Sequence, residues 1–242
     1  MKTVIFIKSY RKDFPWLAYC LRSIKKFCSG YEGVVLCVPH GDRAAVPFGG
    51  VDDMIVIETA DKQQKDGYLY QQVVKICADL FCPGMTHILY VDSDNCFNTS
   101  NTPESWLKDG KPIIWYTPYS ALVVDGKAQT PWQPITEKAL GMKIEFECMR
   151  RFPIMSTPEA LRGLREHIEK VHHMPFADYV LSQPRGQFSE FNALGAYCMA
   201  KMSDKFTFIN TLEYLPKALL NQHWSWGGLT DKIKAELEAI LK

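Results

Sequence analysis

Short apolar runs and longer amphipathic stretches alternate through the first half of the chain. Four runs are almost continuous in apolar residues, as is typical of strands buried in a parallel sheet. These runs are Thr3–Lys8, Val34–Val38, Met54–Ile57 and His87–Val91. Asp13–Cys28 has apolar residues at helical spacing, with Asp13 as the predicted N-cap and Pro15 in the first turn. Gln63–Phe81 is predicted to be a second helix, which Pro83 and Gly84 end.

The second half is less regular. Its predicted strands are Ile113–Tyr116, Leu122–Val124, Phe152–Met155 and Phe208–Ile209, and its predicted helices are Pro158–His172, Ser189–Lys201 and a tail from Thr230. Asp125 and Gly126 predict a hairpin turn. There is no internal repeat and no linker rich in Pro, Gly or Ser. Residues 1–242 are therefore predicted to form one α/β domain with a mixed, mostly parallel sheet flanked by helices.

Two aspartates follow the fourth predicted strand directly. Residues i and i+2 of a strand share a face, so Asp92 and Asp94 are expected to project together from its end. Carboxylate oxygens suit Mg²⁺ or Mn²⁺, which would hold the two like charges together. Asp and Ser are also favoured in turns, so the Asp92-Ser93-Asp94 motif alone leaves a metal site and a plain turn open.

The position of this motif in the predicted sheet favours a site. Ligands of parallel α/β sheets bind beyond the carboxyl ends of the strands. Lys8, Ser9, Tyr10 and Arg11 follow the first strand at that same edge. We therefore expect these residues and the aspartates to face one ligand.

Other polar residues are candidates for the same site, and some of them also have an ordinary structural explanation. Gln71 and Lys75 share a helical face, where a solvated lysine is the common case. Glu190 lies at a helix start, where it either serves the site or stabilises the helix dipole. His223 lies in an aperiodic loop rich in aromatic residues and glycine, which suits a metal ligand better than the helical His172 does.

Composition narrows the classes of function. The formal charge is +1, from 28 basic and 27 acidic residues, so nothing indicates a strongly basic nucleic-acid surface. The eight cysteines include no Cys-x-x-Cys pair, which favours buried free thiols in a reducing cytoplasm. No stretch approaches the roughly 18 apolar residues of a membrane span. The Walker, G-x-G-x-x-G, G-x-S-x-G and H-E-x-x-H motifs are absent.

Two segments together resemble a known family. The segment GYLYQQVVK at 67–75, followed by a strand into Asp92-Ser93-Asp94, resembles the core of GT-A-type nucleotide-sugar glycosyltransferases. It is most similar to a small bacterial and phage group with a Gln-Gln-x-x-Lys helix before an Asp-Ser-Asp strand. Phe188-Ser189-Glu190-Phe191 resembles the Ser-Glu-aromatic segment of that group. The resemblance covers most of residues 1–200.

The resemblance implies a Rossmann-related GT-A fold and a set of roles. Residues 1–97 would bind the nucleotide sugar, with a UDP-sugar as the expected donor, and residues 98–242 would bind the acceptor and supply a C-terminal loop and helix. The donor contacts implied are Lys8, Ser9, Tyr10, Arg11, Gln71, Lys75, Asp92 and Ser93. The Mn²⁺ or Mg²⁺ ligands implied are Asp92, Asp94 and His223.

These roles describe a metal-dependent hexosyl- or pentosyltransferase that moves a sugar to a hydroxyl. Lys75 would stabilise the diphosphate, and Glu190 would act as the base or orient the acceptor. A nucleotidyltransferase of related topology is an alternative, although no glycine-rich loop follows the first strand. A non-catalytic nucleotide-sugar or glycan-binding module is another. A modified DNA base, a glycan, a protein and a small molecule all remain open as acceptor.

Overall fold

The computed structural model of the protein describes residues 1–47, 49–128, 132–150, 152–214 and 218–242. In these ranges the α-helices are α1 (Phe14–Phe27), α2 (Gly67–Ile76), α3 (Ala78–Phe81), α4 (Trp132–Leu140), α5 (Pro158–His172), α6 (Phe176–Ser182), α7 (Glu190–Lys201) and α8 (Asp231–Leu241). The strands are β1 (Thr3–Lys8), β2 (Val34–Pro39), β3 (Met54–Thr59), β4 (His87–Tyr90), β5 (Asn95–Phe97), β6 (Leu107–Lys108), β7 (Lys111–Pro118), β8 (Val123–Val124), β9 (Lys127–Ala128), β10 (Phe146–Glu147), β11 (Ile154–Ser156), β12 (Thr207–Asn210) and β13 (Leu220–Gln222).

The main sheet has the strand order β11-β4-β1-β2-β3. The strands β4, β1, β2 and β3 run parallel, whereas β11 runs antiparallel to β4. Every residue of β1 and β2 is buried, as their nearly continuous apolar sequence requires. The predicted α/β class and the mixed, mostly parallel sheet are therefore confirmed.

The side chains of β1 alternate between two hydrophobic cores. Val4 and Phe6 join the larger core, to which α2, α5, α6 and α7 contribute. Ile5 and Ile7 point the other way and join the core that contains the apolar face of α1. Because helices cover both faces, the carboxyl edge of the strands is where polar side chains can meet a ligand.

Among the described residues, a smaller sheet and two two-stranded ribbons complete the fold. In the smaller sheet β7 lies between β10 and β12, and β6 also pairs with β7. β8 and β9 form the hairpin that Asp125 and Gly126 predicted, both with positive φ. β13 pairs antiparallel with β5, which places Gln222 opposite Asn95. The loop after β13 therefore starts beside the aspartates that precede β5.

The second predicted helix starts later than expected. Gln63–Phe81 was predicted to be one helix, but α2 begins at Gly67, and Asp61–Gln63 forms a single 3₁₀ turn. The Asp66 side chain accepts hydrogen bonds from the backbone N–H groups of Tyr68 and Leu69, so the N-cap fixes the start there. The helix is also interrupted at Cys77 before α3.

Other boundaries differ less. The strand predicted at Phe152–Met155 lies at Ile154–Ser156, and the sequence pattern did not indicate α4 or α6. Pro158–His172 has the predicted bounds, and Thr157 caps it by accepting from the N–H of Ala160. None of the described helices is both long and apolar enough to cross a membrane.

Candidate functional site

Two parallel strands bring the predicted site residues to one edge. Phe6 of β1 is in register with Tyr90 of β4, so Lys8 and Asp92 each follow two residues beyond that pair. The strand β4 ends at Tyr90, and residues 92–95 form a turn in which the Asn95 N–H donates to the Asp92 carbonyl. Both aspartates therefore lie beyond the strand, and a turn, not the alternation of strand residues, sets the positions of their carboxylates.

Lys75 links Asp92 to Glu190. Its Nζ lies 2.9 Å from Asp92 Oδ1 and 3.1 Å from Glu190 Oε1, and the residue is only 6% exposed. The Nζ also lies 5.0 Å from the centre of the Phe191 ring. The alternative of a solvated lysine is wrong, because the structure brings Lys75, Asp92 and Glu190 together in one buried cluster.

Packing fixes the position of Lys75. The hydroxyl of Tyr90 donates to the Lys75 backbone carbonyl at 2.9 Å, which holds the last turn of α2 over β4. The N–H of Glu190, the first residue of α7, donates to Gln72 Oε1 at 3.1 Å. Gln72 thus joins α2 to α7, a role that the sequence reasoning missed.

The charges of this cluster do not cancel. Burial lowers the pKa of Lys75, but the carboxylates of Asp92 and Glu190 outweigh that effect, and the net shift is upward. Lys75 therefore stays protonated. With one ammonium between two carboxylates, the cluster has an excess negative charge that faces the site.

Asp94 has different partners from Asp92. Its Oδ2 accepts the Ser225 N–H at 2.9 Å, and its backbone carbonyl accepts the His223 N–H at 3.1 Å. Burial, followed by the charge of Asp92, raises the pKa of Asp94 to about 6. Within the described residues no basic side chain forms an ion pair with Asp94. A nearby cation would therefore stabilise the ionised carboxylate of Asp94.

Asp13 belongs to the same neighbourhood, although it was predicted only as a helix cap. Its backbone occupies the N-cap position of α1, but its carboxylate makes no capping hydrogen bond. Burial raises the pKa of Asp13, a hydrogen bond with Ser225 opposes this, and the charge of Asp92 adds to the rise. No local pattern separates this aspartate from an ordinary cap, so only the tertiary structure reveals it.

His223 is close to the aspartates through its backbone and not through its ring. The ring packs against Trp16 with centroids 5.4 Å apart, and its buried Nε2 has no hydrogen-bond partner among the described residues. Burial lowers the pKa of His223, which keeps the imidazole neutral and able to accept a metal.

The carboxylates fit a divalent cation of the Mg²⁺ type. In the described ranges, no three His, Cys, Asp or Glu side chains are grouped closely enough to hold a metal without further ligands. Mg²⁺ commonly needs only one or two protein carboxylates and takes its other ligands from water and phosphate. Asp92 and Asp94 supply that pair.

A cavity of about 320 Å³ opens at the end of β1. Four predicted donor contacts line it, namely Lys8, Ser9, Tyr10 and Gln71, together with Asp61, Tyr68 and Arg185. Arg11 and Ser93 are not among the lining residues: the Arg11 side chain is exposed and Ser93 is buried. Lys75 and Asp92 are outside the lining as well, so four of the eight implied donor contacts line this cavity.

The lining of this cavity is charged. The Lys8 Nζ lies 2.6 Å from Asp61 Oδ1. Burial lowers the pKa of Lys8, Asp61 opposes this, and the positive charge of Lys75 lowers it further. The Arg185 guanidinium lies 4.8 Å from the centre of the Tyr68 ring. The cavity therefore combines aromatic surface with positive charge.

A larger cavity, of about 710 Å³, lies against the second half of the chain. Asp92 is part of its wall, together with residues of β7, β10 and the loop after β13. Asp92 thus lies between this cavity and Lys75.

Comparisons with known proteins do not select a function. No family model matches the chain, and no curated protein matches it. The α/β architecture is shared by many unrelated activities, so the fold alone does not select one either. The geometry of the site has to carry the functional argument.

Proposed function

We propose that this protein is a metal-dependent glycosyltransferase of the GT-A type, which transfers a sugar from a nucleoside-diphosphate sugar to a hydroxyl group. The observation that carries the proposal is the buried Lys75, held between Asp92 and Glu190 at the carboxyl edge of a mostly parallel sheet. Asp92 of this cluster lines the larger cavity, and Lys75 lies one helical turn beyond Gln71, which lines the smaller one. Transfer between two bound substrates needs that arrangement.

The cavity at the end of β1 suits the donor nucleotide. Tyr10 and Tyr68 offer aromatic surface for a base, and Asp61, held by Lys8, accepts an N–H or hydroxyl of the nucleoside. Arg185 and the neighbouring Lys75 supply positive charge for a diphosphate. A UDP-sugar is the donor that we expect here.

Asp92 and Asp94 would hold a Mn²⁺ or Mg²⁺ ion. When bound, such an ion stabilises the negative charge that develops on a diphosphate leaving group. This ion would stabilise Asp94 more than Asp92, because the buried carboxylate of Asp94 has no basic partner among the described residues. His223 would join only if its ring left Trp16, and the unpartnered Nε2 is available for that.

Lys75 and Glu190 have separate roles in this proposal. Lys75 fixes the orientation of Asp92 and adds a protonated group beside the leaving diphosphate. Glu190 is 5% exposed and does not line the larger cavity, so it acts through Lys75 as a positioning residue. The alternative of a base that touches the acceptor hydroxyl is less well supported by this geometry.

A panel of nucleotide sugars with Mn²⁺ tests the proposal. We expect release of free nucleoside diphosphate from one donor, and loss of that release in EDTA. Asp92→Asn and Asp94→Asn should each abolish turnover, while the exposed Asp204→Asn serves as the matched control and should not.

Three outcomes would contradict the proposal. Full turnover in EDTA would exclude the metal, and binding without turnover would indicate a binding module. Conversion of a nucleotide sugar and added pyrophosphate to nucleoside triphosphate and sugar 1-phosphate would indicate nucleotidyl transfer. Circular dichroism spectra of the two aspartate variants should match the parent, because the apolar residues of β4 are unchanged.

A further inference from the structure

The larger cavity contains a group of polar side chains that have no role in the proposed donor and metal sites. Glu147 and Thr117, which are paired in the β7–β10 register, and Arg150 line it. Glu147 is 1% exposed, and its Oε2 accepts a hydrogen bond from the Arg150 guanidinium at 2.8 Å. The Thr117 hydroxyl pairs with that of Thr211, which also lines the cavity. A buried carboxylate and two hydroxyls at the base of a cavity are well suited to bind hydroxyl groups.

The sides of the cavity are apolar and aromatic. Trp132 of α4 and Trp224 of the loop after β13 both line it, together with Leu122 and Leu212. Trp224 is 64% exposed and Leu212 is 62% exposed, so large apolar surfaces are open to solvent at the entrance. An indole presents a flat apolar face, which is the shape of partner that the C–H face of a sugar ring needs.

The charge of the cavity argues against a polyanion. Its charged lining residues are Asp92, Glu147 and Arg150, which sum to a net charge of −1. Nucleic-acid sites neutralise phosphates with several Lys or Arg side chains, and the chain as a whole carries only +1. An uncharged ligand rich in hydroxyl groups fits this lining better than DNA does.

We propose that this cavity is the acceptor site and that it takes an uncharged sugar ring of a glycoside. In this inference, which rests on the proposed function, the ring packs against Trp224 and Trp132. The carboxylate of Glu147, held by Arg150, accepts a hydrogen bond from a ring hydroxyl, and Thr117 and Thr211 contact others. The reacting hydroxyl would then lie toward Asp92, which is part of the same wall.

Acceptor kinetics with an active donor test this inference. Neutral nitrophenyl glycosides and an oligonucleotide that contains a hydroxymethylated pyrimidine are compared as acceptors, with transfer measured separately from donor hydrolysis. The glycosides should stimulate sugar transfer and the oligonucleotide should not. Trp224→Ala should raise the KM for the glycoside at least about tenfold more than the KM for the donor.

The chain offers a matched control in Trp226, which is 85% exposed and does not line the cavity. Trp226→Ala should leave both KM values unchanged. Glu147→Gln should also raise the acceptor KM, with its melting temperature checked because the change disturbs the pair with Arg150. If the Glu147 variant does not fold, the Trp224 variant still tests the inference, because that substitution removes an exposed side chain.

The two proposals fail in different ways. If no donor releases a diphosphate with metal, the proposed function is wrong. If a donor is turned over but glycosides do not stimulate transfer, or the oligonucleotide is the better acceptor, only the sugar-acceptor assignment is wrong. Equal KM values for the glycoside in the Trp224 and Trp226 variants would also contradict the sugar-acceptor assignment.

Discussion

The ammonium of Lys75 is the counter-charge for two carboxylates of different burial. Glu190 is almost completely buried, whereas the Asp92 side chain is 28% exposed and reaches the larger cavity. A buried ion pair gives little net stability, but the loss of one partner leaves an uncompensated charge. Removal of Lys75 would therefore destabilise the fold and release the Asp92 carboxylate at the same time.

Lys75→Ala should destabilise the protein by about 3 kcal/mol, because Glu190 loses its buried partner. Urea unfolding measures the change. The double variant Lys75→Ala with Glu190→Gln should recover part of that loss, since the orphaned carboxylate becomes a neutral amide. Transfer should fall at least about tenfold in both variants. An unchanged midpoint and unchanged transfer for Lys75→Ala would contradict this account.

Asp94 should make the metal-free protein less stable as the pH rises. Its folded pKa of about 6 lies above the ordinary value of 3.8, so protonation of Asp94 stabilises the folded state. This contribution is complete below the ordinary pKa and is lost as the pH rises through about 6.

Melting temperatures in EDTA check the sign. Asp94→Asn has no charge to bury, so it should exceed the parent in stability at about pH 8 and lose that advantage at about pH 4. Added Mn²⁺ should raise the melting temperature of the parent at the higher pH and that of the variant much less. Parallel pH profiles of the melting temperature for the two proteins would show that the folded structure does not raise the pKa of Asp94.

At the scale of elements, the start of α2 decides where the site lysine lies. The cap at Asp66 sets the first turn, and Lys75 follows on the face that meets β4 and α7. The sequence pattern predicted the helix and its polar face because 3.6-residue periodicity is local. The predicted start of this helix was too early. The composition of Gln63–Lys65 is compatible with a helix, but Asp66 is the better N-cap residue.

Asp66→Ala should destabilise the protein by about 1 kcal/mol, because two N–H groups of the first turn lose their acceptor. Asp66→Asn is the matched control, since asparagine caps about as well. Both variants lose the ion pair with Arg185, whose side chain is 70% exposed and whose pair contributes little. Equal unfolding midpoints for the alanine and asparagine variants would show that the cap does not carry the effect.

At the scale of the whole molecule, the sequence predicted the main sheet and the edge at which the candidate site residues lie. Buried parallel strands have a strong local signature, and the position of the site follows from their direction. The partners of Asp94 could not be predicted, because Ser225 is 131 residues away and no local pattern marks it. The same reason explains why Asp13 was predicted only as a cap and why Glu147 was not singled out.

The pairing of β13 with β5 also sets the time at which the site is completed during synthesis. Asp94 leaves the ribosome 131 residues before Ser225, the donor to its carboxylate. Until β13 docks beside β5, the aspartate turn has neither that N–H nor the cover of the following loop. All five strands of the main sheet lie before residue 157, so they have been synthesised before β13 and Ser225 leave the ribosome. The aspartate turn is therefore the part of this sheet edge that is completed last.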